Sequence, residues 1–249
     1  MLPRSSQQYK AQHREKEPLL RRVRRLLGLF IMLFLVYEFT TSVLVDTVEQ
    51  ESIAMMPTLE PGDRLLALPL AWGPRLPLFG WVLPGLAEPA RGDLALVRPA
   101  FVADRGVFGR LVDPAYRFVT LQNRRFGEAE RWESSLQIKR IVGLPGDTIQ
   151  IERFVAYVRP AGGDEFVSEF ALATREYELL IEQRPPQWQP LDPFGPAMEP
   201  LELGDDEYFV LSDNRSSGTD SRHWGVISAD DLIARASVRF WPFADFGRP

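Results

Sequence analysis

The feature that most constrains this chain is the apolar run at residues 26–45, LLGLFIMLFLVYEFTTSVLV. Its length matches the roughly 20 residues that a helix needs to cross a hydrocarbon layer of about 30 Å. Glu38 is its one charged residue, and a carboxylate deep in a span costs on the order of 2.5–3.5 kcal/mol on insertion scales. An uninterrupted apolar stretch precedes Glu38, which places this residue in the outer half of the span. The sequence therefore predicts one transmembrane helix.

Charge is distributed unevenly on the two sides of this run. Residues 1–25 contain eight Lys or Arg and two Glu, whereas the remainder contains 21 basic and 32 acidic residues. Basic residues beside a span stay in the cytoplasm, so we expect a cytoplasmic tail (1–25) and an extracytoplasmic domain (46–249). A basic tail can also bind nucleic acid, but this one ends at an apolar run. We therefore expect membrane lipid, and no nucleic acid, as its partner.

The rival interpretation of residues 1–45 is a cleaved secretory signal. The charged leader is long for such a signal, and no small-x-small site follows the apolar core. Both observations favour a permanent anchor.

Beyond residue 46 the chain alternates short apolar runs with Gly and Pro turns, which is typical of an antiparallel, mostly β domain. The runs are DRLLAL, GDLALVRP, YRFVTLQ, LQIKRIVG, DTIQIERFVAYVR, EYFVLSD and ARASVRFWP. Residues 169–183, EFALATREYELLIEQ, have instead the pattern of a helix. The predicted fold class is a β-rich domain on one N-terminal transmembrane helix.

Two segments interrupt the strand pattern. Residues 68–89 form an apolar loop too rich in Pro and Gly for a helix or strand. This loop either packs on the core or dips into the bilayer surface, with Trp72 and Trp81 at the headgroup level. Residues 153–205 are interpreted as an insertion that includes the Pro-rich loop 185–200.

The chain has no cysteine and two histidines, His13 and His223. Disulfides and thiolate nucleophiles are therefore excluded, and a metal site would have to consist mostly of carboxylates. No suitable acidic cluster stands out, so we predict no metal and no cofactor.

Lysine is rare in this sequence: there are three lysines against 26 arginines, and Lys139 is the one lysine beyond the span. Arginine supplies surface charge equally well, but its pKa above about 12 prevents it from giving up a proton. A lysine in an apolar strand can have its pKa lowered by burial and act as a general base. The alternative is that Lys139 is a stray lysine in an arginine-rich chain.

Four segments, taken in order, resemble the sequence boxes of type I signal peptidases. They are SIAMMPTLEPGD (52–63), RGDLALVRP (91–99), IKRIVGLPGDTI (138–149) and SDNRSSGTDSRHWGVI (212–227). The resemblance implies a β-rich fold, a serine–lysine dyad and no cofactor. It also implies a bacterial cytoplasmic (inner) membrane location, with signal peptides of exported preproteins as partners.

The resemblance assigns roles by position. Lys139 matches the general base, Ser52 the hydroxyl of the oxyanion hole, and Asp220 with Arg222 an ion pair that supports the site. The residues that match the lining of the small side-chain pockets are Met55, Leu59 and Ile138. A surface salt bridge is the alternative for Asp220 and Arg222, and Asp147 in GLPGD is interpreted as a turn residue rather than a catalyst.

Three positions depart from the family pattern. Ala54 occupies the nucleophile position, and a methyl group cannot attack a carbonyl. Gly218 stands where many members have a serine that orients the lysine amine, and Ser212 stands where glycine is usual. The paired loss at 54 and 218 favours a naturally inactive homologue. The other two explanations are a Ser-to-Ala change at residue 54 alone, and Ser52 as the nucleophile.

Two hypotheses for function follow. The chain is a serine endopeptidase of signal peptidase I type if residue 54 is natively serine. Otherwise it is a pseudopeptidase that binds signal-peptide ends or assists an active paralogous peptidase. A triad built on His223 is disfavoured, because this residue lies in a box position where the family tolerates various residues.

Overall fold

The structure is a computed structural model that describes residues 4–74, 82–99, 112, 115–120, 136–182 and 195–249, with side chains from residue 19 onward. Helix α1 spans Arg4–Phe39 and continues into a π-helical turn, Thr40–Leu44. The stretch Leu19–Leu44 is long and apolar enough to cross a membrane. Nearly every side chain from residue 19 to 39 is exposed, although most are apolar. An apolar helix that is exposed along most of its described side chains suits a lipid environment, and this arrangement agrees with the predicted anchor.

Eleven strands form two antiparallel sheets among the described residues. The first sheet has the order β1-β2-β11-β3-β4-β9-β10. Its strands are β1 (Asp46–Glu49), β2 (Arg64–Leu68), β3 (Leu94–Val97), β4 (Gln137–Gly143), β9 (Glu207–Leu211), β10 (Ile227–Ser228) and β11 (Leu232–Trp241). The second sheet has the order β7-β6-β5-β8 and consists of β5 (Thr148–Glu152), β6 (Val155–Arg159), β7 (Val167–Ser168) and β8 (Met198–Glu202). The predicted mostly β, antiparallel fold class is confirmed.

The remaining described elements beyond the anchor are short. Two helices of one turn each are α2 (Glu169–Leu172) and α3 (Ser221–Trp224). The 3-10 turns are Ile53–Met55, Pro69–Ala71, Ala229–Asp231 and Phe243–Asp245. Residues 115–119 are also helical.

Strand β3 lies in the middle of the first sheet and is buried on both faces. Leu94 and Leu96 join one apolar cluster, and Ala95 and Val97 join another on the opposite face, as the two-residue period of a strand requires. Strand β4 pairs with β3 in the register Ala95↔Lys139. The register therefore places a lysine inside the protein rather than at its surface.

The structure corrects the prediction for YRFVTLQ, because residues 115–119 form a helical turn and not a strand. The Thr120 amide donates to the Tyr116 carbonyl at 3.0 Å. Phe118 packs against three aromatic rings of α1, at centroid distances of 5.1–5.5 Å. Packing against the anchor outweighs the β propensity of this sequence, which is strongly dependent on context.

The predicted helix at 169–183 is also wrong in extent, since α2 ends at Leu172. Tertiary hydrogen bonds replace the helical ones. The Thr174 amide donates to the Arg91 carbonyl at 3.0 Å, and the Leu180 amide donates to the Asp213 carbonyl at 3.0 Å.

Of the two tryptophans in the apolar loop 68–89, Trp72 packs against the cluster that contains Ala95, Val97 and Ile141. For Trp72, the structure therefore shows the first of the two alternatives given for this loop, packing on the core. Trp81 lies outside the described residues.

The second sheet draws most of its strands from residues 153–205, which supply β6, β7 and β8. A buried ion pair joins this region to the segment that follows β9: Arg215 Nη2 lies 2.6 Å from Glu169 Oε2, and both side chains are at most 1% exposed. The Glu169 carboxylate also accepts a hydrogen bond from the Ala156 amide at 2.8 Å. The insertion is therefore integrated into the fold.

Candidate functional site

Lys139 is the third residue of β4, and its side chain is buried. Its Nζ donates a hydrogen bond to Ser212 Oγ at 2.9 Å and lies 5.9 Å from the centroid of the Trp224 ring. A buried ammonium needs partners that compensate for lost hydration. Ser212, one residue after β9, provides one of them.

The surroundings of Lys139 favour the neutral amine. Burial lowers the pKa of Lys139 from 10.5 to about 8, because a low-dielectric site disfavours the charged form. Asp220 and Asp213 oppose this shift, and Arg222 adds to it. A pKa of about 8 leaves about a tenth of the amine neutral at pH 7, and only the neutral form can accept a proton.

The nucleophile position lies in a turn and not in a strand. Ile53–Met55 forms a 3-10 turn, so residues 52 and 54 do not share one face of an extended strand. Ser52 caps the turn in the way that serine caps helices: its Oγ accepts from the Ala54 amide at 3.4 Å. Ala54 is buried, and its carbonyl accepts from the Asn214 amide at 3.0 Å.

Ser52 Oγ receives a second hydrogen bond, from Gln50 Nε2 at 3.2 Å. Gln50 is itself buried and also donates to the Ser52 carbonyl at 2.6 Å. Because the hydroxyl accepts from both neighbours, its own proton remains to be donated to a further oxygen. The Ser52 hydroxyl can thus act as a donor, whereas the Ala54 amide is engaged with Ser52 Oγ in this structure.

Gly218 separates Ala54 from Ser212. Its φ is +95°, and a Cβ added there would lie 2.6 Å from Ala54 Cβ and 3.2 Å from Ser212 Oγ. A side chain at 218 would therefore collide with residue 54 and press on the hydroxyl that holds Lys139. This arrangement brings residues 54, 212 and 218 together around one point beside the lysine.

Asp220 organises the loop that carries Ser212. Although burial raises the pKa of its carboxyl group, Arg222 and hydrogen bonds hold that pKa well below its usual range. The carboxylate accepts from the Ser212 amide at 3.0 Å and from Arg222 Nη2 at 2.8 Å. The Asp220–Arg222 pair is buried, at most 4% exposed, and is not the surface salt bridge weighed as its alternative.

A second buried ion pair was missed by the sequence reasoning. Arg140 donates to Asp213 from Nε at 2.7 Å and from Nη2 at 2.6 Å, which is a bidentate geometry. Arg140 Nη1 also donates to the Gly92 carbonyl at 2.7 Å, and Thr58 Oγ1 donates to Asp213 at 2.5 Å. The signal for this pair was a charged residue in an apolar strand next to Lys139. These contacts tie all four sequence boxes together.

The three residues predicted to line small pockets lie together in one apolar cluster. Met55 and Leu59 have 0% exposure, and Ile138 has 3%. Neighbouring Ile53 is 44% exposed. The cluster therefore lies beneath the surface next to the Ile53–Met55 turn. The role of these three residues in lining substrate pockets stays a prediction.

Two further residues have structural contacts. The Asp147 carboxylate accepts from the Leu144 amide at 2.8 Å within the turn and pairs with Arg91 at 2.7 Å, which is the behaviour of a turn residue. His223 lies in α3, where its Nδ1 accepts from the Asp220 amide at 3.3 Å as part of a helix cap. Among the residues that the structure describes, no group of three or more His, Asp or Glu could hold a metal ion.

The fold and site define a class: a β-rich protein on an apolar N-terminal helix, with a lysine of lowered pKa in a buried polar cluster. The comparisons agree with this class. The model of the signal peptidase family, peptidase S26, matches residues 23–241. The chain therefore belongs to the signal peptidase (peptidase S26) family.

Curated relatives carry names of the same kind. A probable signal peptidase I-2 of Synechocystis sp. is 29% identical over 196 residues, which is 79% of this chain and 63% of that protein. A signal peptidase I of Leptolyngbya laminosa is 29% identical over 79% of this chain and 68% of its own length. A signal peptidase IB of Staphylococcus aureus is 31% identical over 44% of this chain and 55% of its own length.

Proposed function

We propose that this protein binds the small-x-small ends of signal peptides of exported preproteins, and that serine at position 54 makes it a serine endopeptidase. The observation that carries the proposal is the buried Lys139 with a lowered pKa, held by Ser212 close to residue 54. Membership of the signal peptidase family supports it. The cleavage would follow a serine–lysine mechanism.

In this mechanism the neutral Lys139 amine takes the proton of a serine at position 54 as its oxygen attacks the scissile carbonyl. The developing oxyanion would accept hydrogen bonds from the Ser52 hydroxyl and from the residue 54 amide, once this amide leaves Ser52 Oγ, to which it donates at 3.4 Å. Preorganised donors of this kind are worth several kcal/mol each in acyl transfer. The protonated lysine then gives its proton to the leaving amine. Met55, Leu59 and Ile138 would line the pockets for the small side chains.

A second candidate function is favoured by Ala54 itself. With a methyl group at the nucleophile position, the protein would hold signal-peptide ends without cutting them, or would assist an active paralogous peptidase. Binding and cleavage would use the same surface, so the site alone supports either outcome.

The anchor and charge distribution give the proposed location: a bacterial cytoplasmic membrane, with the N-terminus in the cytoplasm and the β domain outside. In this topology the site would face preproteins as they emerge from the membrane. Membrane lipid would be the second partner.

The test is to install serine with Ala54→Ser in the full-length protein and to measure cleavage of a preprotein with a small-x-small site. We expect cleavage that the Ala54 protein lacks. Adding Lys139→Arg should abolish it, because arginine keeps the positive charge but cannot become neutral. Cleavage that survives Lys139→Arg would contradict the mechanism.

Binding separates the two candidates. If Ala54→Ser does not cleave but the chain binds the preprotein with micromolar or better affinity, the protein is a binding module. If neither form binds or cleaves, the proposed function is wrong.

A further inference from the structure

We propose that Ser212 is the residue that positions the Lys139 amine, in place of a side chain at position 218. The proposal rests on the proposed function, and it concerns one hydroxyl. Lys139 Nζ donates to Ser212 Oγ at 2.9 Å, and both side chains are buried.

The space around Gly218 explains why the hydroxyl comes from residue 212. A Cβ at 218 would lie 3.2 Å from Ser212 Oγ, so the two positions share nearly the same volume. The same Cβ would lie 2.6 Å from Ala54 Cβ, and the φ of +95° disfavours any L side chain. Glycine at 218 therefore makes room for serine at 212.

The backbone fixes the direction of this hydroxyl. The Ser212 amide donates to Asp220 Oδ2 at 3.0 Å, and Asp220 is held by Arg222. The following residue, Asp213, is fixed by Arg140. Ser212 thus lies between two buried ion pairs, which restrict where its Oγ can point.

This arrangement gives a different interpretation of the three positions, 54, 212 and 218, that depart from the family pattern. Gly218 and Ser212 together keep one hydroxyl beside Lys139, so they form a reciprocal exchange and not a loss. Ala54 is then an isolated change, and Gly218 no longer supports a general decay of the site.

The chain allows a direct test without catalysis, because it has three lysines and two of them, Lys10 and Lys16, lie in the N-terminal tail. Full-length protein in detergent micelles, labelled with 13C at lysine Cε, should show one titration well below the other two. The charged groups facing Lys139 are Asp220, Arg222 and Asp213, and they stay in place in the variant.

Ser212→Ala removes an acceptor that stabilises the ammonium form, so the pKa of Lys139 should fall further below about 8. The matched control is Ser221→Ala, which removes a buried hydroxyl that accepts from the Val210 amide at 3.0 Å and not from the lysine. That control should leave the Lys139 titration unchanged. If Ser212→Ala also leaves it unchanged, the positioning role is wrong.

In the Ala54→Ser background, Ser212→Ala should lower kcat by about 10²-fold with little change in KM, the size expected for a misplaced catalytic group. A larger KM with an unchanged kcat would overturn the proposal. If Ala54→Ser is inactive, the peptidase part of the proposed function fails, while the titration still decides the role of Ser212.

A second inference rests on a separate contact: we propose that residues 115–120 are embedded in the bilayer beside α1. Phe118 packs edge-on against Phe30 and Phe34 of α1 and against Tyr37, at centroid distances of 5.4, 5.5 and 5.1 Å. These three residues lie within the predicted span. A ring that contacts them must lie at the same depth as they do.

The depth follows from helix geometry. Phe34 precedes Val45 by eleven residues, which is roughly 16 Å along a helix with a rise of about 1.5 Å per residue, or about half of a hydrocarbon layer of about 30 Å. In residues 19–39, the partly buried side chains are Phe34, Tyr37 and Glu38, on the face that the 115–120 turn covers. Val119 is 70% exposed and would face lipid.

The polar groups of the turn suit such a position. Arg117 reaches Asp46, just beyond the span, with Nη2 to Oδ1 at 2.6 Å. Long basic side chains reach the interface in this way from within a membrane. Thr120 Oγ1 and the Thr120 amide both donate to the Tyr116 carbonyl, at 2.8 and 3.0 Å, so this carbonyl is satisfied within the turn, as lipid requires.

The chain has no cysteine, so one introduced cysteine can carry a fluorophore. We would label Val119→Cys in full-length protein in phosphatidylcholine vesicles and compare quenching by spin-labelled acyl chains with quenching by aqueous iodide. Leu35→Cys, in the span, and Glu165→Cys, on the exposed part of the β domain, are the references. Val119 should behave like residue 35. Quenching by iodide as strong as at residue 165 would overturn this proposal.

Discussion

The two halves of the site differ in how completely they are built. The half around the base, comprising β4 and residues 212–222, holds Lys139 with a hydroxyl and two buried ion pairs. The half around the nucleophile, the turn at residues 52–55, has its backbone and its Ser52 donor but only a methyl group at 54.

This difference is informative because the two halves have opposite effects on stability. Alanine in a tight turn costs the fold little, whereas a buried lysine with a lowered pKa destabilises it. An apolar residue at 139 would fold more easily. The proposed role of the amine as a base would account for the stability that the protein forgoes at Lys139.

The largest effect on stability is expected in the base half. Asp213→Ala would leave Arg140 buried without its carboxylate, and breaking a buried pair in this way costs about 3–5 kcal/mol. Glu49→Ala, which breaks the exposed Arg64–Glu49 pair, should change the free energy of unfolding by less than about 1 kcal/mol. Chemical denaturation of both variants measures the contrast, and equal losses would contradict it.

Lys139→Met tests the cost of the buried base. The pKa of Lys139 is about 8 in the folded protein and 10.5 when unfolded. Between these pH values the unfolded chain binds more protons, so the stability of the natural chain rises with pH. Below pH 8 the penalty is fully present and corresponds to about 3 kcal/mol. The advantage of the Met variant should therefore shrink by this amount from pH 8 to 10.5 in denaturation curves.

Gly218→Ala tests the crowding between the two halves. Gly62 has nearly the same φ, +94°, and nothing within 4 Å of an added Cβ, so Gly62→Ala reports the cost of the left-handed backbone alone. That cost is about 1–2 kcal/mol. Gly218→Ala should cost about 1–3 kcal/mol more because of overpacking. Similar melting temperatures for the two variants would show that the site tolerates a side chain at 218.

The last prediction concerns the pH dependence of activity. In the Ala54→Ser protein, kcat/KM should rise about tenfold per pH unit below the Lys139 pKa of about 8 and level off above it. The rise reflects deprotonation of the base. A flat pH–rate profile from pH 6 to 9 would show that the base half does not work as proposed.

The sequence predicted the parts of the site that depend on residue type. Lys139 was identifiable because an arginine-rich chain has one lysine beyond its span, and the β class followed from short runs between turns. The contact of Lys139 with Ser212 joins residues 73 positions apart, which neither spacing nor periodicity can reveal. The sequence did not predict the 3-10 turn at Ile53–Met55. This turn depends on Ser52 as its N-cap, and the orientation of the Ser52 hydroxyl toward the Ala54 amide cannot be read from residue types. Likewise, the 115–119 turn depends on contact with the anchor.

The Arg215–Glu169 contact has a consequence for how the protein opens. Removing residues 153–205 would strand a guanidinium group with 0% side-chain exposure inside the protein, and an uncompensated buried charge is strongly unfavourable. The second sheet and the segment that carries Ser212 and Asp220 should therefore form one cooperative unit in hydrogen exchange. The Ala156 amide is hydrogen-bonded to Glu169, and it should exchange its hydrogen together with the amides around Lys139. Local opening of the second sheet would then also disrupt the site.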